Sequence, residues 1–383
     1  IRDYYASRGL GDVYKRQGSM RMANLNIDIL GMKFNNPIFT AAGPGAKDGE
    51  LCVKAVQGGA GGIVTKTISE TPADVPRPCM AKTNSGFLNT ELWSELPKEQ
   101  WIEKEYKKAK EAGVPMIVSM GYTAEQISKV APLVKPYADA VELSTHYVGT
   151  DIGPIVNAMK AAKAALDCPV FMKLSPHTDI QGIAKALEDA GADGLVMINS
   201  FGPCMAIDIE TGYPIMGSQN GYGWLSGSPI RPLAVRNIYD ASRVVKIPII
   251  GVGGVTSGKD AAEMLMAGAS AVQVCTEAIL KGPTIYGKIA KELNKFLDSY
   301  GYKEVSEIIG LAHKKSVERN FRTTSVPPNV DLDKCIKCGQ CKVSCVYDAI
   351  EITDKLSIDN EKCFGCGLCV TRCPKNALTI QYN

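Results

Sequence analysis

Residues 335–345 read CIKCGQCKVSC and residues 363–374 read CFGCGLCVTRCP. Each run places four cysteines with the spacing C-x2-C-x2-C-x3-C, which is the spacing of thiolate ligands to 4Fe-4S clusters. In two-cluster proteins of this kind, the fourth cysteine of one run binds the cluster of the other run. The pattern therefore predicts two clusters, with the ligands Cys335, Cys338, Cys341 and Cys373 for the first and Cys363, Cys366, Cys369 and Cys345 for the second.

Two other kinds of cysteine site are disfavoured by the same spacing. Zinc pairs are usually separated by a longer loop and supply four ligands to one ion, and a disulfide framework is the other alternative. The stretch resembles the bacterial two-cluster ferredoxins, and it departs from them at Val346, where the first run would often carry proline. We therefore expect a small α+β ferredoxin-like domain at residues 331–383 that carries electrons.

The composition of the whole chain excludes several classes of function. The 383 residues include 43 basic and 40 acidic side chains, and no run of Lys or Arg suggests a nucleic-acid partner. No apolar stretch approaches the ~18 residues of a membrane span. The remaining cysteines are scattered, as in the reducing cytosol, so we expect a cytoplasmic protein. They are Cys52, Cys79, Cys168, Cys204 and Cys275.

The first nineteen residues differ from the rest of the chain. They have no periodic apolar face, and residues 12–17, DVYKRQ, resemble a translated sequencing adapter. We expect residues 1–19 to be a non-native or disordered extension, with Met20 or Met22 as the biological start.

From Asn35 onward, apolar runs rich in β-branched residues alternate with helical patterns, which indicates a parallel sheet. Eight strands, each followed by a helix, predict a (β/α)8 TIM barrel over residues 20–322, with a linker at 323–330. A doubly wound sheet is the alternative, disfavoured because no G-x-G-x-x-G turn follows strand one. A further helix is expected at Glu304–Arg319. The predicted strands are Pro37–Ala42, Gly62–Lys66, Pro115–Met120, Ala140–Ser144, Val170–Leu174, Gly194–Asn199, Ile247–Val252 and Ala271–Cys275.

The ends of the predicted strands carry the residues expected to do chemistry. The long connections 67–97 and 200–228 belong at the C-terminal mouth of a barrel. Glycines at 251–254, with the residues that end strand eight, predict a phosphate site, although a tight turn without a ligand is the alternative. Lys66, Lys173 and Asn199 also end strands. A buried ammonium there fits an electron-rich ring such as reduced flavin, or else pairs with a carboxylate.

Several motifs resemble the FMN-binding barrel of the dihydroorotate and dihydropyrimidine dehydrogenase family. They are Thr65-Lys66-Thr67, Asn84-Ser85-Gly86, the run from Phe171 to Pro176, Asn199-Ser200 and the run from Leu225 to Ala234. The resemblance implies FMN held by Ala42, Lys66, Thr67, Asn84, Lys173, Asn199, Gly227, Gly253, Gly254, Cys275 and Thr276. The expected substrate-binding residues are Asn84, Ser144, Asn199 and Ser200.

The motif after strand four departs from that family. Its members typically carry Asn-Leu-Ser-Cys-Pro-Asn, in which the cysteine exchanges a proton with substrate carbon and the asparagines bind the pyrimidine amides. Residues 144–149 read STHYVG, so Ser144 and Gly149 stand where the asparagines do and Tyr147 stands where the cysteine does. An unpaired buried amide costs ~1–3 kcal/mol, so orotate is disfavoured as the substrate.

Replacement acids are present in the same motif. A phenol stays protonated at neutral pH, which suits Tyr147 to proton donation, and His146 is the second candidate. Lys173 joins them as the group that stabilises negative charge on reduced flavin. His177 and Cys204 are weaker candidates, and a packed aromatic with a solvated histidine is the alternative for the motif.

These observations predict an FMN- and iron-sulfur-dependent oxidoreductase of the CH–CH group. Electrons would pass between two 4Fe-4S clusters and FMN, with hydride from flavin N5 delivered to an activated double bond. The expected partners are a small unsaturated substrate, a protein electron donor (ferredoxin or an NAD(P)H-flavoprotein subunit) and further copies of the chain. The alternatives are a dihydropyrimidine or dihydroorotate dehydrogenase catalytic subunit with an altered motif, and a non-catalytic electron-transfer subunit.

Overall fold

The structure, a computed structural model, describes residues 22–145, 148–380 and 382. The expected extension at 1–19 lies outside the described residues, and so do His146 and Tyr147. The chain divides into two compact units, one ending at His313 and the other beginning at Lys314. The predicted boundaries at 322 and 331 remain predictions.

The first unit is a parallel barrel, so the predicted fold is confirmed. In the described residues, eight strands form one sheet in which each strand pairs with the next, and strand 8 pairs with strand 1. The bridge between Phe39 and Gly62 joins strands 1 and 2 and closes the sheet. Barrel strands 1 to 8 are Ile38–Thr40, Ile63–Val64, Met116–Met120, Ala140–Ser144, Val170–Leu174, Gly194–Met197, Ile249–Val252 and Ala271–Val274.

Alternation along the strands gives the barrel two apolar layers. Phe39 and Ile117 belong to one buried cluster, whereas their neighbours Ile38 and Met116 belong to the larger cluster that includes the helices. A hairpin of Ile27–Ile29 and Met32–Phe34, which the sequence pattern did not predict, adds Phe34 to the first cluster. The rings of Phe34 and Phe39 lie 4.4 Å apart between centroids, so the hairpin helps to fill the barrel interior.

Helices follow the barrel strands, and their ends have side-chain caps where the sequence supplies them. Thr123 forms a capping box with Gln126, and the Ser257 hydroxyl accepts a hydrogen bond from the Asp260 backbone N–H. Short 3-10 turns occupy Pro44–Ala46, Ser228–Ile230 and Val305–Ile308. The helices are Gly49–Gln57, the continuous three-part helix Lys98–Gln100, Trp101–Glu105 and Tyr106–Lys110, then Ala124–Val134, Gly153–Ala165, Ile180–Asp189, Arg231–Ser242, Gly258–Ala267, Thr276–Lys281, Ile285–Tyr300 and Leu311–Glu318.

The prediction of one helix over Glu304–Arg319 is wrong. A 3-10 turn at Val305–Ile308 is separated from the helix Leu311–Glu318 by Gly310, whose φ is +69°. That left-handed conformation interrupts the helical hydrogen-bond ladder, and glycine adopts it at no steric cost. In the part of the chain that the structure describes, no helix has the length and apolar character needed to cross a bilayer.

The two long connections after barrel strands 2 and 6 fold together into an antiparallel sheet, which we call the mouth sheet. Its strands, in spatial order, are Phe201–Cys204, Gly223–Ser226, Gly86–Asn89 and Met80–Thr83. Trp224 pairs with Asn89, so the sheet joins one connection to the other. This sheet was not predicted from sequence, where both segments were interpreted only as long loops.

The second unit has a duplicated arrangement. Two-stranded sheets are formed by Asn329–Val330 with Leu378–Thr379 and by Ile350–Ile352 with Leu356–Ile358. The short helices Gln340–Val343 and Leu368–Arg372 follow Gly339 and Gly367, which have nearly the same positive φ of 79° and 78°. A small buried cluster of Cys341, Ile350, Leu356 and Leu378 holds the unit together.

Candidate active site

A cavity of about 620 Å³ lies between the ends of the barrel strands and the mouth sheet. Its lining includes every residue that was predicted to hold FMN, and also Ser200. These are Ala42, Lys66, Thr67, Asn84, Lys173, Asn199, Ser200, Gly227, Gly253, Gly254, Cys275 and Thr276. Ser144, the remaining residue predicted to bind substrate, does not line the cavity. It ends barrel strand 4 and is 3% exposed.

Lys66, two residues after barrel strand 2, makes a buried ion pair. Its Nζ lies 2.5 Å from Oε2 of Glu91, and the two side chains are 2% and 14% exposed. Glu91 follows the mouth-sheet strand that ends at Asn89, and it also lines the cavity. One of the two interpretations left open for this lysine, pairing with a carboxylate, is therefore what the structure contains.

Lys173, in barrel strand 5, makes a second buried ion pair. Its Nζ lies 3.4 Å from Oε1 of Glu142, which is fully buried in barrel strand 4. The other carboxylate oxygen, Oε2, accepts a hydrogen bond of 2.6 Å from Nε2 of Gln273 in strand 8. Oε1 of Gln273 and Oε1 of Glu142 are buried without a hydrogen-bond partner among the described residues. Gln273 lines the cavity, and its Oε1 is a buried acceptor without a partner among the described residues.

Three glycines of the cavity lining have positive φ angles. Gly227, Gly253 and Gly254 have positive φ of 83°, 124° and 81°. A Cβ added to Gly254 would lie 2.7 Å from the carbonyl oxygen of Gly227, so only glycine fits this turn. Thr276 Oγ1 donates to Ser226 Oγ at 2.9 Å beside them. Close backbone approach of this kind suits a phosphate group.

Cys275 and Tyr122 also face the cavity, and both are neutral. Burial raises the pKa of the Cys275 thiol, an effect that Lys173 and Lys66 oppose and Glu91 reinforces. Burial raises the pKa of the Tyr122 phenol well above its usual range, so the phenol stays protonated. The Tyr122 ring packs against that of Trp93, with centroids 4.9 Å apart. Tyr122 was missed from sequence because an isolated tyrosine after a strand has no motif.

Two weaker candidates lie away from the cavity lining in the described part of the chain. His177 Nδ1 accepts a hydrogen bond from the Asp179 backbone N–H at 3.1 Å, which is a local loop contact. Cys204 ends a mouth-sheet strand, where its thiol donates to the Phe201 carbonyl at 3.6 Å. Both residues therefore have local structural partners, and neither lines the cavity.

In the second unit the eight cysteines of the two runs gather into two groups. One small cavity is lined by Cys335, Cys338, Cys341 and Cys373. The other is lined by Cys345, Cys363, Cys366 and Cys369. Over the described ranges, no three His, Cys, Asp or Glu side chains surround a single metal ion. A 4Fe-4S cluster spreads its four thiolates over four irons, so each group of four fits one cluster.

Comparison with known proteins agrees with this arrangement. Residues 24–297 match the family model for dihydroorotate dehydrogenase, and residues 328–380 match the model for a 4Fe-4S dicluster domain. A protein of Methanothermobacter thermautotrophicus is 38% identical over 302 residues, which are 76% of this chain and 98% of that protein. A protein of Methanosarcina mazei is 39% identical over 315 residues, 78% of this chain and 99% of its own length.

A third relative, from Pyrococcus abyssi, is 37% identical over 304 residues, 76% of this chain and 99% of its own length. All three are named dihydroorotate dehydrogenase B (NAD(+)), catalytic subunit. Each alignment covers nearly the whole relative but leaves about a quarter of this chain outside it. The chain thus belongs to the dihydroorotate dehydrogenase family, whose members are flavin-dependent oxidoreductases of the CH–CH group, and it carries a 4Fe-4S dicluster domain in addition to the family barrel.

Proposed function

We propose that this chain reduces an activated carbon–carbon double bond, with electrons passing between two 4Fe-4S clusters and FMN. The observation that carries the proposal is a cavity lined by two buried lysines and by three glycines of positive φ, on the same chain as two groups of four cysteines. Neither feature alone requires a redox enzyme, but their presence on one chain supports a flavin that exchanges electrons with iron-sulfur clusters.

The cavity residues form two groups, one that would hold the phosphate of FMN and one that would hold its isoalloxazine ring. Gly253 and Gly254 would accept the phosphate, because both line the cavity and neither carries a side chain of its own that would keep a ligand from its backbone N–H group. Lys66 and Lys173 would lie against the isoalloxazine ring, where an ammonium stabilises negative charge. Gln273 would use its unpartnered Oε1 as an acceptor for a ring N–H. When bound, FMN would supply a hydride to one carbon of the double bond.

The residue that supplies the proton belongs to the segment after barrel strand 4. That strand ends at Ser144, beside Lys173 of the next strand, with which Ser144 pairs in the sheet. Tyr147 and His146 follow three and two residues later. We propose Tyr147 as the donor and His146 as the second candidate, since a phenol holds its proton at neutral pH and gives it to a carbanion.

The proposed substrate is a cyclic amide or enone. The names of the relatives make orotate, the unsaturated partner of dihydroorotate, the second candidate, and identity of 37–39% along their length favours it. Against it, Ser144 and Gly149 stand where family members carry pyrimidine-binding asparagines, and a buried amide without a partner costs ~1–3 kcal/mol. A non-catalytic electron-transfer subunit is the third candidate, favoured only by the same departure.

The electron donor is proposed to be another protein. The relatives are named as catalytic subunits that use NAD(+), so they act with other subunits. In this chain the dicluster domain would accept single electrons from ferredoxin or from an NAD(P)H-flavoprotein subunit. We also propose a homo-oligomer.

The proposal is tested by anaerobic reoxidation. The holoprotein is reduced with dithionite, excess reductant is removed, and the flavin absorbance is followed after addition of cyclic enones, cyclic unsaturated amides, uracil and orotate. We expect one of the enones or amides to restore the oxidised spectrum faster than orotate. Rapid reoxidation by orotate would favour the second candidate, and no reoxidation by any compound would leave only the electron-transfer subunit.

A further inference from the structure

We propose that Glu91 determines substrate specificity by making the cavity favour uncharged substrates over carboxylates. This inference rests on the proposed function, because it concerns the substrate of the same cavity. It goes further in naming the residue that sets the class of substrate. Nothing in the sequence pattern singled out Glu91, which lies in a connection with several other acidic residues.

The first argument is that the Glu91 carboxylate is paired with the buried ammonium of Lys66. Both Lys66 and Glu91 line the cavity, and their charged atoms lie 2.5 Å apart with little exposure to solvent. Because Glu91 offsets part of the positive charge of Lys66, this lysine attracts the carboxylate of a ligand less strongly than an unpaired lysine would. The remaining field of the pair is that of a dipole, which is much weaker than the field of a single charge.

The second argument is that the rest of the buried lining offers no compensation. Lys173 faces the buried carboxylate of Glu142 at 3.4 Å. The two other lysines of the lining, Lys82 and Lys281, are exposed to solvent, which screens them. An anionic substrate would therefore add a negative charge to a buried region whose two described lysines are both paired. A neutral amide or enone would add no charge to this region.

The third argument is that Glu91 is held in place from its own segment. The preceding residue, Thr90, donates its backbone N–H to the Cys79 carbonyl at 2.8 Å and its hydroxyl to the Pro76 carbonyl at 3.2 Å. Burial and then the nearby Glu91 carboxylate raise the pKa of the Cys79 thiol, so these two side chains are neighbours. Withdrawal of the Glu91 side chain to admit a second carboxylate would break its ion pair with Lys66, while the Thr90 contacts hold the backbone beside it. Selection against carboxylates therefore has a structural basis.

The experiment measures binding, with turnover as a separate readout. Oxidised FMN-loaded wild type, Glu91→Gln and Glu277→Gln are titrated with matched pairs of acid and amide, orotate with orotamide and cinnamate with cinnamamide. Dissociation constants come from perturbation of the flavin spectrum. Glu277 is the matched control because it also lines the cavity but is not paired with Lys66. Glu91→Asp retains the charge, and FMN content is measured for every variant.

We expect wild type to bind the amides about tenfold or more tightly than the acids, a difference of about 1.4 kcal/mol per tenfold. In Glu91→Gln that preference should fall by about tenfold, chiefly because the acids bind more tightly. Glu91→Asp and Glu277→Gln should keep the wild-type preference within about threefold. The inference is overturned if wild type binds acids as well as amides, if Glu91→Gln leaves the preference unchanged, or if no amide binds.

The wild-type measurement stands on its own should Glu91→Gln lose FMN. Failure of this inference is also distinct from failure of the proposed function. If the amides bind with the expected preference but no compound reoxidises the reduced flavin, the reductase proposal is wrong and the role of Glu91 stands. If an acid is reduced rapidly and Glu91→Gln leaves the preference between acid and amide unchanged, the reductase proposal stands and the role of Glu91 is wrong.

Discussion

Nζ of Lys173 lies 3.4 Å from Oε1 of Glu142, inside the barrel and beneath the cavity. The same carboxylate accepts a hydrogen bond from Gln273 in barrel strand 8, across the barrel from strand 4. Lys173 is thus shared between a buried anion and whatever occupies the cavity. Its effective positive charge toward a flavin depends on Glu142, although Glu142 itself is not in the lining.

The first prediction concerns this pair. Glu142→Gln keeps the contact with Gln273 but removes the negative charge, so Lys173 should favour electron-rich reduced FMN more strongly. The midpoint potential of bound FMN should rise by about 30 mV or more, which corresponds to a tenfold change in preference for a two-electron couple. A redox titration of the holoprotein measures it, with Glu125→Gln, an exposed residue, as the control. An unchanged or lower potential with full FMN content would refute the role of Glu142.

The second prediction concerns the glycine turn. Gly254→Ala would place a Cβ 2.7 Å from the Gly227 carbonyl, in the region proposed for the phosphate. Gly212 has a similar φ of 78° but open space around it, so Gly212→Ala is a matched control for backbone strain alone. Gly212→Ala should lose about 1–2 kcal/mol of folding stability from backbone strain, and Gly254→Ala should lose more because its Cβ also meets the Gly227 carbonyl. Only Gly254→Ala should weaken FMN binding, by about tenfold or more in a fluorescence titration. Equal FMN affinities in the two variants would contradict the assignment.

The third prediction concerns the crossed cysteine ligands. Cys373 lines the same cavity as Cys338, and Cys345 lines the other one. In reduced protein, Cys373→Ser and Cys338→Ser should alter the same electron paramagnetic resonance signal, whereas Cys345→Ser should alter the second signal. Iron content should fall by about half in each, since each variant loses one of two clusters. Cys204→Ser is the control. If Cys345→Ser and Cys338→Ser altered one signal, the ligands would not cross.

The fourth prediction concerns the proton donor. Tyr147→Phe should slow turnover by about 10²-fold or more, because it removes a general acid while leaving FMN bound. Tyr122→Phe is the comparison, since its phenol also faces the cavity and stays protonated. That variant should keep turnover within about threefold of wild type. Single-turnover reoxidation of the flavin measures both, and the opposite ranking would assign the proton to Tyr122.

Features with a repeating pattern were predictable from the sequence. The barrel strands are buried apolar runs at regular spacing, and two of them, Ala140–Ser144 and Val170–Leu174, have the predicted bounds. The cysteine spacing likewise indicated a dicluster domain, which the family match confirms. The mouth sheet was not predicted, because Phe201–Cys204 and Gly223–Ser226 pair across a long separation and within segments rich in glycine.

The two carboxylates differ in how far sequence could have indicated them. Glu142 interrupts the apolar strand AVELS, and a charge in a buried strand requires a partner, so the signal was there. Glu91 had no such signal, since its pairing with Lys66 depends on how the mouth sheet turns the chain back over the barrel. Long-range contacts of this kind are fixed by tertiary structure and not by local pattern.

The fifth prediction tests the central claim, that clusters and flavin form one electron path. Fully reduced holoprotein, freed of reductant, is mixed anaerobically with the unsaturated compound that reoxidises the flavin fastest, and product is counted. FMN stores two electrons and each cluster one, so wild type should form about two product molecules per flavin, with cluster absorbance returning as well. About one product molecule per flavin, with the clusters still reduced, would contradict the account.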